Sequence, residues 1–254
     1  FKESIIPFLN RVEEKAQLVN AVNTIRHDKG TLIGFNTDID GVAFSLEQQK
    51  VDLKDKKVAV LGAGGASRAA VYAAAINHAR EITIYNRTLS SGIAVAEQLN
   101  CHAKPLDALK NELKLTDILI SCLPAAATPV KKEWLHPQLT ILDANYKNSV
   151  LNELGSRVGC KIINGLYWLK FQAVPSFEIF SGLDIDPKHI IHVFDDIPFK
   201  AKSYESNIFL TGYMGSGKST IGKLLAKKLE RRFIDIDDEI EQSENKSISH
   251  IFQE

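Results

Sequence analysis

The sequence predicts an α/β chain whose centre is a Rossmann-type doubly wound domain, with a short α/β segment before it and the start of a P-loop α/β domain after it. Three observations predict this. Residues 58–88 read as strand, glycine turn, helix and strand, a mononucleotide-binding βαβ unit. Further short apolar runs at 117–121, 139–143 and 161–163 continue the parallel sheet. Near the other end, Gly212-Tyr213-Met214-Gly215-Ser216-Gly217-Lys218-Ser219 spells G-x-x-x-x-G-K-S between a strand at 207–211 and a helix at 220–229.

Taken in order, residues 3–9 and 13–18 read as helices broken at Pro7. A strand at 21–25, the Asp28-Lys29-Gly30 turn and a strand at 31–35 predict a β-hairpin. Asn36-Thr37-Asp38 follows, with Thr37 or Asp38 as N-cap of a helix over 39–49. Val58 to Leu61 are all apolar, as suits a strand buried on both faces. In the glycine turn Gly62 permits the tight bend, Gly64 lets backbone approach a pyrophosphate, and the helix N-terminus behind Gly65 and Ala66 receives negative charge. Ser67 takes the place of the usual third glycine. The strand at 82–85 ends in Asn86-Arg87-Thr88 with no carboxylate to accept a ribose 2′-hydroxyl. A guanidinium there suits a 2′-phosphate, so the expected cofactor is NADP. A helix over 90–98 follows, and Gly165 opens another whose Leu166, Leu169, Ala173 and Phe177 are expected to form its packed face.

Composition narrows the function. Lys plus Arg and Asp plus Glu both total 31, so the net charge is zero and no nucleic-acid or membrane partner is expected. No apolar run approaches the roughly 20 residues that span a bilayer, and no signal peptide is legible. Cys101, Cys122 and Cys160 form neither C-x-x-C spacing nor a disulfide framework, which points to buried thiols in a reducing cytoplasm. His189 and His192 lack a neighbouring ligand set and read as surface histidines.

The motifs in sequence carry a family resemblance. Lys2-Glu3, Asn23-Thr24, Asn36-Thr37-Asp38-x-x-Gly41, the glycine loop, Asn86-Arg87-Thr88 and Gly165-Leu166-Tyr167-Trp168-Leu169-x-x-Gln172-Ala173-x-x-Ser176 resemble shikimate dehydrogenase. The resemblance implies a catalytic pair, Lys2 and Asp38, with substrate contacts from Asn23, Gln172 and Tyr146 (the last in Asp143-Ala144-Asn145-Tyr146). It also makes Asn86, Arg87 and Thr88 the NADP clamp and puts Gly165 beside the nicotinamide. The family pattern is interrupted at Ser91, where many relatives have a second basic residue, at Ala125-Ala126-Ala127, and after Tyr146, where a proline is absent. The chain is expected to be a window of a longer polypeptide, lacking the family's N-terminal substrate contacts and turning over poorly as it stands.

The last segment, Gly215-Ser216-Gly217-Lys218-Ser219-Thr220 followed by Phe233-Ile234-Asp235-x-Asp237-Asp238, is similar to shikimate kinase. Gly212, Gly215, Gly217, Lys218, Ser219 and Thr220 would cradle ATP, with Mg²⁺ held at Ser219 and Asp235. By resemblance Asp237 holds a shikimate hydroxyl; a strand is expected to end at 232–238. A related small-molecule kinase is the alternative for this part, and so short a piece is not expected to transfer phosphate alone. The expected organisation is therefore a remnant of the dehydrogenase substrate domain at 1–53, the NADP-binding domain at 54–183, a linker at 184–206 and the first part of a kinase domain at 207–254. The expected function is reduction of 3-dehydroshikimate fused to shikimate phosphorylation in aromatic biosynthesis, with small-molecule substrates as partners. The alternatives are a quinate/shikimate dehydrogenase using NAD and a non-catalytic nucleotide-binding remnant.

Overall fold

The computed structural model describes residues 1–124, 128–147, 149–185, 218–228 and 232–251. It divides into two compact units, Phe1–Ile197 and Pro198–Glu254.

The central strands of the first unit form where β-branched and aliphatic residues run together, and their alternation feeds two cores. Among the described residues six strands make one parallel sheet: β4 (Lys57–Leu61), β5 (Glu81–Asn86), β6 (His102–Pro105), β7 (Ile118–Ser121), β8 (Thr140–Asp143) and β9 (Lys161–Asn164), in the order β6-β5-β4-β7-β8-β9. Val58 and Val60 of β4 pack on one side with Ile82, Ile84, Ile118 and Ile120; Ala59 and Leu61 pack on the other with Leu119, Ile141 and Leu151. A strand buried on both faces needs apolar residues at every position, as the sequence reading expects. The order reverses between β4 and β7, which opens a crevice at their carboxyl ends, the place where doubly wound sheets receive ligands.

A smaller sheet precedes it. β1 (Arg11–Val12) pairs parallel with β3 (Thr31–Phe35), and β3 pairs antiparallel with β2 (Thr24–Asp28). The hairpin turn has positive φ at Lys29 (45°) and Gly30 (86°), as two-residue turns that match strand twist require. The helix expected at 3–9 is not formed. Turns lead to a single 3₁₀ turn at Ile6–Phe8 with Pro7 in its first positions, and the Lys2 carbonyl accepts from the Val22 amide at 2.8 Å. A proline that cannot donate, and a carbonyl committed to a distant partner, leave no helical ladder there. The helix α1 (Glu14–Leu18) is capped by the Glu13 carboxylate.

Helix α2 (Asp38–Gln48) starts at Thr37, but neither Thr37 nor Asp38 caps it with its side chain. Both are engaged elsewhere, as described below. Helix α3 (Gly65–Ile76) follows β4 across the glycine turn, where Gly62 has φ +103°, and α4 (Leu89–Leu99) follows β5. The short α5 (Leu109–Glu112) and α6 (Val150–Val158) complete the layers, and α7 (Gly165–Ser181) leaves β9 directly. The face of α7 expected to pack does not. Leu169 and Phe177 are exposed, while Gly165, Trp168, Phe171 and Val174 are buried. The helix is apolar nearly all round, so hydrophobic spacing alone does not mark the face that meets α2.

In the second unit α8 (Lys218–Lys228), α9 (Ile236–Glu244) and α10 (Ile248–Ile251) are helical. The strand expected to end at 232–238 is not seen: residues 232–235 make no ladder among the described residues, and α9 begins at Ile236 with Asp235 as N-cap. Local capping by a carboxylate has won over strand propensity. The strand expected at 207–211, Gly212, Gly215, Gly217, His189, His192 and nearly all of the expected linker lie outside the described residues.

Candidate active site

The crevice is furnished from three directions. The segment before the 3₁₀ turn carries Lys2, the N-terminus of α2 carries Thr37 and Asp38, and α7 runs along the third side. Lys2 Nζ donates to Asp38 Oδ2 at 2.5 Å, although the residues stand 36 positions apart. The Asp38 side chain is 9 % exposed and that of Lys2 39 %, so the carboxylate is fixed in the interior and the ammonium faces the opening. The lysine stem crosses the nucleotide turn. A Cβ at Gly65 would lie 3.0 Å from Lys2 Cδ and 3.1 Å from Lys2 Cβ, so this glycine also makes room for the amine. Next to it, Glu3 faces the buried Arg68 of α3 at 3.6 Å.

Beside this pair a polar network centres on Thr37. The Asn23 carboxamide oxygen accepts from the Thr37 amide at 2.9 Å, and its NH₂ donates to Thr37 Oγ1 at 3.0 Å. Thr37 Oγ1 is also 3.1 Å from Gln172 Oε1 and 3.0 Å from Ser176 Oγ, which in turn lies 3.0 Å from Thr24 Oγ1. Two residues singled out in the sequence therefore meet: Asn23 and Gln172 converge on one hydroxyl next to Asp38. On α7, Gly165, Trp168, Gln172 and Ser176 recur at helical spacing and form the stripe that faces the site. The roles of Thr37, Ser176, Thr24 and Trp168 were not legible in the sequence. The available signal was that polar stripe, hidden in an otherwise apolar helix.

The nucleotide side fits a dinucleotide. Gly64, the N-cap of α3, has no side-chain capping bond, and nothing lies within 4 Å of a Cβ built on it. Open space at an uncapped helix N-terminus, bordered by Gly65 and Ala66, suits a pyrophosphate. At the tip of β5 the Asn86 side chain donates to the Thr88 carbonyl at 2.8 Å, Arg87 is exposed, and Thr88 is the N-cap of α4. The Arg87 guanidinium makes no ion pair among the described residues, which leaves its fork free for an anion. Ser91 sits in the first turn of α4.

The floor of the crevice is tied by Asp143. This buried carboxylate accepts from the Asn145 amide at 3.1 Å and from Ser149, while the Asn145 side chain donates to the Leu123 carbonyl at 2.8 Å. The loops after β7 and β8 are thus held together. Gly165 lies against that floor: a Cβ there would run into the Ala144 and Asp143 carbonyl groups. Tyr146 is on the same loop, 46 % exposed, with the Lys147 ammonium 5.5 Å from its ring centroid. No hydrogen bond among the described residues joins it to Lys2 or Asp38. Burial pushes the thiol of Cys122, just after β7, up to about 12; the Ser67 hydroxyl and Lys2 oppose the shift, and the charges of Asp38 and Asp143 reinforce it.

In the second unit Ser219 Oγ donates to Asp235 Oδ2 at 3.0 Å, and Asp235 accepts from the Asp237 amide at 3.3 Å. Lys218 opens α8, Thr220 lies in its first turn and Asp237 in the exposed first turn of α9. A hydroxyl and a carboxylate that already meet form a donor set fit for a hard cation. Among the described residues no three His, Cys, Asp or Glu side chains cluster as a metal site, and no helix is long and apolar enough to cross a membrane.

Comparison with known proteins agrees with both units. Residues 45–146 match the family described as shikimate / quinate 5-dehydrogenase, and residues 214–254 match shikimate kinase. The shikimate dehydrogenase (NADP(+)) of Alkaliphilus metalliredigens is 32 % identical over 207 residues, covering 74 % of this chain and 72 % of that protein. That of Methanocaldococcus jannaschii is 34 % identical over 199 residues, covering 72 % and 70 %. The crystal structure of shikimate 5-dehydrogenase from Thermus thermophilus in complex with NADP(H) and shikimate superposes with a TM-score of 0.66 at 28 % identity, covering 77 % of this chain and 75 % of that one. With the doubly wound sheet, the Lys2–Asp38 pair and these relatives in hand, the chain belongs to the shikimate dehydrogenase family.

Proposed function

We propose that this chain catalyses the NADP-dependent reduction of 3-dehydroshikimate to shikimate, and that its C-terminal unit belongs to an ATP-dependent shikimate kinase fused to it. The observation that carries the first part is the buried Asp38 held 2.5 Å from the Lys2 ammonium, directly against the first turn of the nucleotide-binding helix. NADPH, when bound at Gly62, Gly64, Gly65 and Ala66, supplies the reducing equivalent. Reduction of a ketone leaves charge on its oxygen, and a lysine ammonium can stabilise that oxygen and give it a proton. Asp38 keeps the ammonium aimed, so the geometry is set before substrate arrives. Asn23 and Gln172, gathered around Thr37, offer amide groups to the ring hydroxyls, and Tyr146 closes the rim. Arg87 receives the 2′-phosphate, flanked by Asn86 and Thr88. Gly165 lies beside the nicotinamide. Residues 1–53 then serve the substrate, 54–183 the cofactor, and 184–206 lead to the kinase part at 207–254. Three free thiols suit a reducing cytoplasm.

The relatives' names support NADP, and the Thermus thermophilus structure holds NADP(H) and shikimate together. The test is 3-dehydroshikimate-dependent loss of NADPH absorbance, with NADH and quinate run in parallel. Substrate-dependent oxidation of NADPH in preference to NADH is expected; none with either cofactor overturns the assignment. For the kinase part, Ser219 and Asp235 would hold Mg²⁺, Lys218 and Thr220 the phosphates with Gly212, Gly215 and Gly217, and Asp237 a shikimate hydroxyl. Magnesium-dependent ATP binding measured by calorimetry, lost in Ser219→Ala, checks this part; equal binding by the variant counts against it.

A further inference from the structure

We propose that Trp168 is a positioning residue: its indole holds the second oxygen of Asp38 and thereby fixes the carboxylate that aims Lys2. The inference rests on the reading of Lys2 and Asp38 as the working pair and deepens it. Asp38 has two oxygens, and the ammonium engages only Oδ2. Oδ1 accepts from the Trp168 Nε1–H at 3.2 Å, inside the protein, where Asp38 is 7 % and Trp168 4 % exposed. An indole N–H can only donate, and a buried one needs an acceptor. A buried carboxylate likewise needs donors on both sides.

The two partners differ in stiffness. The lysine is a flexible four-carbon arm with a partly exposed end, whereas the indole is a rigid plate packed between helices. It is therefore the indole that sets the rotation of the carboxylate and leaves Oδ2 turned to the ammonium. The backbone is shaped to allow it. Gly41 stands one turn beyond Asp38 on α2, and a Cβ there would be 2.8 Å from Trp168 Cδ1, 2.9 Å from Gln172 Cβ and 3.0 Å from the Trp168 carbonyl oxygen. The absence of a side chain at this position brings α7 close enough for Trp168 to reach Asp38 and for Gln172 to reach Thr37. One glycine thus serves both branches of the site.

The chain has two tryptophans, Trp134 and Trp168, so its ¹H–¹⁵N spectrum carries two indole signals, assignable by loss of one in Trp168→Phe. The Trp168 signal is expected downfield, slow to exchange with solvent, and displaced upfield by Asp38→Asn while the Trp134 signal stays in place. A Trp168 signal that does not respond to Asp38→Asn overturns the proposal. In turnover, Trp168→Phe, which keeps an aromatic ring in the core but loses the donor, is expected to lower kcat about tenfold without changing the KM for NADPH, in line with loss of one charge-assisted hydrogen bond. An unchanged kcat also overturns it. Should Trp168→Phe misfold, the Asp38→Asn spectrum decides alone. Should the wild-type chain fail to oxidise NADPH, the proposed activity falls, and the indole–carboxylate contact still stands or falls on the spectrum.

Discussion

Single residues decide the chemistry by where their side chains are committed. Asn36-Thr37-Asp38 reads in the sequence as a helix cap, because Asn, Thr and Asp are the residues that cap helices. In the structure Asn36 does bond the Asp38 amide, at 3.1 Å, but Thr37 and Asp38 are turned to Asn23, Gln172, Lys2 and Trp168. Cap and reactive group use the same residue types, so composition cannot separate them; the partners can. Lys2→Ala is expected to lower kcat by about 10² to 10⁴ and to leave NADP binding unchanged, since the amine is held by Asp38 and only the lysine's aliphatic stem lies against the turn, at Gly65 and not at its open face by Gly64. Steady-state rates beside an NADP titration check this, and survival of activity means that the lysine has been misassigned. Arg87 makes the opposite case. Arg87→Ser is expected to weaken NADP binding by about 10- to 100-fold, the worth of hydrogen bonds to a charged group, while NAD binding changes little. Equal losses for the two cofactors would remove Arg87 from the 2′-phosphate.

At the level of elements, legibility follows burial. The strands β4, β5, β7 and β8 are readable because their central residues are buried on both faces, and the edge strand β9 is readable from its Ile162-Ile163 pair. The segment at 3–9 departs from the expected helix because Pro7 interrupts it and the Lys2 carbonyl just before it is held by the Val22 amide, a partner that local spacing does not reveal. The buried face of α7 differs from the one its hydrophobic spacing predicts because the stripe that meets the site consists of Gly, Trp, Gln and Ser amid apolar neighbours. The junction of β9 and α7 is the tightest part of this wall. The Asn164 side chain caps α7 through the Leu166 amide at 2.8 Å, and Gly165 abuts the Ala144 carbonyl. Gly165→Ala puts a methyl group against backbone that cannot rotate away, at an expected cost of about 1–3 kcal/mol. A urea midpoint that does not fall in this variant would mean that the junction yields.

Across the first unit, the segment bearing Lys2 is moored to the nucleotide half by side chains. Arg68 faces Glu3 and donates to Gln98 at 2.5 Å, and Gln98 donates to the Leu18 carbonyl at 2.8 Å. The same compactness sets a pH limit. Burial raises the Cys101 thiol to about 11 and the Cys122 thiol to about 12, raises Cys160, and with Glu112 raises the Tyr85 phenol. These groups stay protonated in the folded state at pH values where the unfolded chain ionises. The unfolded state then binds fewer protons, so stability falls as pH rises from the ordinary thiol value near 9 towards 12. Melting temperatures recorded over that window are expected to decline, and Cys122→Ala to decline less steeply. A flat alkaline limb would show that the thiols are not shielded.

The sequence by itself determined the order of parts: a glycine turn between buried strands, an arginine where a carboxylate binds ribose in other enzymes, and a second phosphate loop further on. These are local patterns, written in neighbouring residues and set by backbone sterics and strand burial. Beyond the Lys2 and Asp38 pair that the family resemblance implies, only the tertiary structure decided which polar side chains meet. The indole at 168 reaches the carboxylate at 38 because α2 and α7 close over Gly41, while the amine at 2 arrives from the segment before the 3₁₀ turn, and spacing along a chain carries no record of the indole's contact.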